Sequence, residues 1–141
     1  MIRQDITLED IQKLNINMTR HLGIEFMGVG PDYISARMPV DSRTTQPMGI
    51  LHGGASVVLA ESLGSIGANL CVDESKYYCV GLEINANHIR PVTQGNWVLG
   101  TAKPLHIGKT TQVWEIRITD ENHKLVCISR LTVAVIERKN T

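Results

Sequence analysis

The chain has 141 residues, of which 43% are hydrophobic and 20% charged, with a formal net charge of +0. That is one domain's length with enough apolar residues for a core, so a disordered chain is excluded. The charge balance removes any broad electrostatic case for nucleic acid or an anionic membrane as partner.

The three cysteines, Cys71, Cys79 and Cys127, are odd in number and lack CxxC spacing, which argues against a disulfide framework and a cysteine zinc site. The opening MIRQDITLEDIQ is polar and has no signal-peptide core. No apolar run reaches the ~20 residues of a membrane span. The default expectation is a reduced, cytoplasmic protein.

In chain order, Thr7 followed by Asp10 forms a capping-box pattern, and Leu8, Ile11, Leu14 and Met18 recur at helical spacing. These predict one helix fading near His21 and Gly23. Two strand-like runs, 24–29 and 33–40, flank the turn signal Gly30-Pro-Asp32 and read as a hairpin. Residues 41–51 form a loop. Segment 53–72 is apolar on nearly every side and proline-free, which predicts a long enclosed helix. Its Gly64 and Gly67 imply close approach of a sheet or a partner helix. Runs 77–87, 97–105, 110–119 and 125–136 read as strands, the last two joined by a polar turn at 120–124. The order predicts an α+β domain in which an antiparallel sheet is covered by one long helix. Several strands alternate weakly, so one sheet face is a candidate for packing against another subunit.

Glu61 is the one charged side chain between Gly53 and Val72. A charge on such a helix is costly unless it is paired or set in a polar cavity. It either lies at the helix periphery or pairs with an arginine for structural reasons, or it is a catalytic group. Ser65, four residues on, shares its helical face, and Ser62 adjoins it. Leu51-His-Gly-Gly54 marks the helix start, where free N–H groups and the helix dipole could hold a carbonyl oxygen gaining charge; the glycines could equally serve a tight turn. The strand residues Asn85, Asn87, His88 and Arg90 either reach a cleft or form an exposed face. His52, Glu61 and His88 are of ligand type, but His52 and Glu61 lack the i, i+4 spacing that sets two ligands on one helical face, so no metal is expected. Neither GxxxxGKS nor GxGxxG occurs, so nucleotide hydrolysis and dinucleotide redox chemistry find no support.

Taken together, Gln46-Pro-Met-Gly-Ile-Leu-His-Gly-Gly-Ala-Ser-Val-Val-Leu-Ala-Glu-Ser62 resembles the signature of PaaI-like hotdog thioesterases. Val80-Gly-Leu-Glu-Ile-Asn-Ala-Asn-His88 and Lys103-Pro-Leu-His-Ile-Gly108 match as well, so the resemblance runs from about Asp5 to Ile136. Within that family the chain is similar to 1,4-dihydroxy-2-naphthoyl-CoA hydrolases of menaquinone biosynthesis and to proofreading thioesterases that act on misacylated aryl-carrier protein.

The resemblance implies one hotdog domain over 1–141, a curved antiparallel sheet wrapped round a long central helix. It implies dimers or tetramers with active sites at the subunit interface, an acyl-CoA or acyl-carrier substrate, and no cofactor. It implies a catalytic carboxylate at Glu61 and a carbonyl-polarising N–H at Gly53 with His52 beside it. Gln46 and Ser65 complete the catalytic set. Gly81, His88, Ile89, Arg90 and Pro91 would line the substrate and CoA channel. His106, Ile107, Gly108 and Lys109 would meet the CoA arm, and Ser62 would adjoin the substrate. The chain departs from the family at Tyr77, Tyr78 and Trp97, which bear on pocket shape. Two further readings accompany this one: a hotdog hydratase acting on enoyl thioesters, and a non-catalytic acyl-CoA sensor.

Overall fold

Helix α3 (Gly53–Asn69) carries buried residues round most of its circumference, including Ala55, Ser56, Leu59, Ala60, Leu63 and Ala68, as its unbroken apolar sequence predicts. In this computed structural model, whose described residues are 1–139, the helix packs against five strands of one antiparallel sheet. The strands are β1 (Glu25–Gly30), β2 (Tyr33–Pro39), β3 (Tyr77–His88), β4 (Trp97–Ile107), β5 (Thr111–Asp120) and β6 (Leu125–Glu137). Their order across the sheet is β1-β2-β4-β5-β6-β3, which leaves β3 on a free edge.

Alternation in β5 sets the core. Trp114, Ile116 and Ile118 are fully buried, while Arg117 between them is exposed. The Trp114 indole N–H donates to the Gln112 side-chain oxygen at 2.9 Å, so the largest core side chain also has its polar group paired. A Cβ on Gly67 would meet the Trp114 ring at 2.9 Å, and one on Gly64 would meet Leu131 at 2.7 Å. Both glycines therefore let the helix settle onto the sheet, as their placement in the sequence suggests. Leu63 is fully buried and packs against Gly100 of β4, and Leu63→Ala would cost about 2–5 kcal/mol.

The N-terminal region differs from expectation. Instead of one helix there are two short ones, α1 (Leu8–Gln12) and α2 (Asn17–His21). Thr7 and Asp10 form the expected capping box. The break falls where Asn17 takes a left-handed φ of 56°, a conformation asparagine tolerates better than most residues. Of the four periodic residues only Ile11 is fully buried, so little apolar contact opposes the break. Among the described residues no helix is long and apolar enough to cross a membrane.

Candidate active site

The site starts at the N-terminus of α3. His52 is the N-cap, and its Nδ1 accepts from the Gly54 N–H at 2.8 Å. Nδ1 is thereby the acceptor nitrogen, and the ring proton of the neutral imidazole sits on Nε2. The carbonyl of His52 takes the N–H groups of Ala55 and Ser56. The Gly53 N–H has no hydrogen-bond partner among the described residues. It is a free donor at the positive end of a 17-residue helix.

The loop before the helix is tied down on both sides. The His52 N–H donates to the Thr44 carbonyl, and the Leu51 N–H to that of Val92, both at 2.8 Å. Gln46 is fixed by its main chain, through Ile50 and Gly49, and its side-chain oxygen accepts from the Met48 N–H. Its amide nitrogen thus remains available as a donor. Opposite stands His88, at the end of β3. A Cβ on Gly53 would lie 2.8 Å from His88 Nε2, so the ring rests on the glycine backbone.

Between these parts opens a cleft of about 320 Å³. Gln46, Gly53, Ser56, His88 and Arg90 supply its polar lining, and Ile50, Leu51, Ile89, Pro91 and Val126 its apolar lining. Of the residues expected to act together, the structure joins Gln46, Gly53, His88, Ile89, Arg90 and Pro91. The sequence reading missed Ser56 and Val126. Ser56 is only 1% exposed, and its side chain borders the cleft. A serine three residues beyond Gly53, on the same helical face, is the signal that could have found it.

Glu61 is elsewhere. It does not line the cleft. It lies eight residues beyond Gly53, which places it roughly 12 Å along the axis and turned by roughly 80°. Its carboxylate rests against Gly81 of the edge strand β3, where a Cβ would come within 2.9 Å of Oε1. It makes neither a hydrogen bond nor an ion pair among the described residues, which removes the structural ion-pair reading within one chain. Ser62 and Ser65 are half-buried on the same stretch and outside the cleft; the Ser65 carbonyl accepts from the Asn69 amide at 2.9 Å.

The segment His106–Lys109 lies apart again. Gly108 and Lys109 line a second hollow with Val72, Asp73, Tyr77 and Val135, beyond the far end of α3. His106 and Ile107 are exposed beside it. One chain therefore does not bring this segment to the cleft.

The family model described as the thioesterase superfamily matches residues 48–127. The chain belongs to the thioesterase superfamily. The Escherichia coli 1,4-dihydroxy-2-naphthoyl-CoA hydrolase is 53% identical over 135 residues, covering 95% of this chain and 98% of that one. The Cronobacter turicensis proofreading thioesterase EntH is 46% identical, covering 95% and 97%. Among solved structures, a glutamine-to-alanine variant of the Pseudomonas aeruginosa thioesterase PA1618 superposes with a TM-score of 0.93 at 49% identity, covering 97% of this chain and 99% of that one. The fold is the hotdog fold and the reaction class of this thioesterase is thioester hydrolysis.

Proposed function

We propose that this thioesterase hydrolyses aromatic acyl-CoA thioesters of the 1,4-dihydroxy-2-naphthoyl type at composite sites between two subunits. The cleft of one chain would bind the thioester, and Glu61 would come from the other. The observation that carries this is the separation within one chain. A carbonyl held at the Gly53 N–H needs its attacking atom within ~3–3.5 Å, yet some 12 Å of helix lies between Gly53 and Glu61. Glu61 instead faces the free edge strand, where a second copy would meet it. A dimer is the minimal assembly that completes the site; a tetramer of two such dimers would follow the family pattern.

In this reading the Gly53 N–H, at the helix dipole, receives the carbonyl oxygen as it gains charge. The His52 cap keeps that backbone in place, and the Gln46 amide donates to the thioester. Glu61 takes a proton from water as the water oxygen adds to the carbonyl carbon. Collapse of the tetrahedral adduct breaks the C–S bond. The thiolate takes the proton from Glu61, leaving a carboxylic acid and free thiol. Direct attack by Glu61 through a mixed anhydride balances equally well. Single turnover in labelled water tests for the anhydride: solvent oxygen in Glu61 requires that route, with water attacking the Glu61 carbonyl.

The apolar walls Ile50, Leu51, Ile89, Pro91 and Val126 suit a ring better than a short polar acyl group. Arg90, in the lining of the same cleft, would meet a CoA phosphate. The naphthoyl-CoA hydrolase relative supports the aryl-CoA branch and a place in menaquinone formation. A second reading, hydrolysis of misacylated aryl-carrier protein, is favoured by the EntH relative. A cytoplasmic location fits both substrates.

The test is thiol release from an aryl-CoA, a medium-chain acyl-CoA and acetyl-CoA, with wild type and Glu61→Gln. Fast aryl-CoA turnover that falls at least ~100-fold in the variant is expected. No turnover of any thioester, or a variant as active as wild type, would overturn the assignment. An acylated aryl-carrier domain outpacing its CoA counterpart would favour the second reading.

A further inference from the structure

We propose that Gly81 is the positioning residue for the Glu61 carboxylate, holding by its missing side chain the place from which that carboxylate acts. The inference rests on the reading of Glu61 as the catalytic carboxylate.

Glycine inside a strand weakens it and marks a bulge or the close approach of another group. Both occur here. Gly81 pairs with Val133, a fully buried residue, and the register of β3 slips between Gly81 and Glu83. The backbone itself does not require glycine. The left-handed glycines are Gly23, Gly49 and Gly95, and Gly81 is not among them. An L residue could adopt this conformation, so only the space for a side chain is lacking.

One group fills that space. A Cβ on Gly81 would meet Glu61 Oε1 at 2.9 Å, while its next neighbour, Leu131 Cδ1, would be at an ordinary 3.8 Å. Because Glu61 has no hydrogen bond or ion pair among the described residues, this packing against bare backbone is what locates its carboxylate within the chain. The obstructed atom is the far end of a flexible side chain, so an added methyl displaces the carboxylate and leaves the fold alone.

Gly81→Ala is therefore expected to lower kcat by about 10- to 100-fold, because ~1 Å of misplacement is enough for such a loss. The loss should appear in kcat, the step that needs the carboxylate in place. The melting temperature should stay within ~2 °C. A merely structural role would lower stability together with activity.

The deciding measurement is a double-mutant cycle with Glu61→Asp, whose carboxylate is one methylene shorter and clears the added methyl. Gly81→Ala should cost under about twofold in the Glu61→Asp background, against at least 10-fold with glutamate present. Equal losses in both backgrounds would overturn the proposal. A crystal structure of the Gly81→Ala protein gives a readout independent of turnover. A displaced Glu61 carboxylate is expected, and an unmoved one overturns the claim. Glu61→Gln, assayed alongside, separates the two failures. If it stays fully active, Glu61 is not the catalytic carboxylate and the proposal falls with it.

Discussion

His88 occupies the space that a side chain at Gly53 would need, with Nε2 2.8 Å from the position of the absent Cβ. The free N–H and the imidazole thus form one wall of the cleft, and neither can be altered alone. Gly53→Ala pushes the ring off the amide and is expected to lower kcat/KM about 10-fold, a tenth or less of the effect of losing an oxyanion donor outright. Alanine is a better helix former than glycine, so stability should not fall. Steady-state kinetics beside a thermal melt separate the two effects. Unchanged kcat/KM would show that the ring and the amide do not act together.

Ser129 on β6 is 3% exposed, and its hydroxyl is buried with no hydrogen-bond partner. An unpaired hydroxyl in this position opposes folding, and removing it leaves little cavity. Ser129→Ala is expected to stabilise the protein by roughly 1 kcal/mol, read as a higher urea midpoint at unchanged slope. A lower midpoint would mean that the hydroxyl has a partner, such as a buried water.

Much of the fold is legible in the sequence because its signals are local. The buried helix follows from an apolar run bounded by His-Gly-Gly, and the turn at Asp120–Lys124 closes as expected, with the Asp120 N–H donating to the Lys124 carbonyl at 2.9 Å. The N-terminal break at Asn17 was hidden by a helical repeat that burial hardly uses. The site was harder to read. Gln46, Gly53 and Glu61 sit close together in one motif, which suggests one cluster. Helix rise and rotation then carry Glu61 away to Gly81, a relation visible only once β3 is seen on the edge beside it. The distance of His106–Lys109 from the cleft likewise depends on strand order, which no local pattern encodes.

Acid should destabilise the protein in a defined window. The Arg43 guanidinium bonded to Asp41 holds that carboxyl below its ordinary value of 3.8. The backbone N–H groups of Lys124 and Asn122 do the same for Asp120. Because the folded values are depressed, this stabilisation is complete above the unfolded value and is lost as pH falls through the lower folded one. Urea midpoints should therefore decline as pH drops below about 3.8, and less steeply in Asp41→Asn. An identical decline in the variant would remove Asp41 from the explanation.

The composite site is tested most directly by mixing two inactive proteins. Gln46→Ala lacks a cleft donor and Glu61→Gln lacks the carboxylate, so each alone should be nearly inactive. Refolded together as a two-fold dimer, half the dimers are mixed, and each mixed dimer regains one intact site of two, so roughly a quarter of wild-type activity is expected. Thiol release that stays at the level of the separate variants, with mixed dimers shown to have formed, would contradict a site shared between subunits.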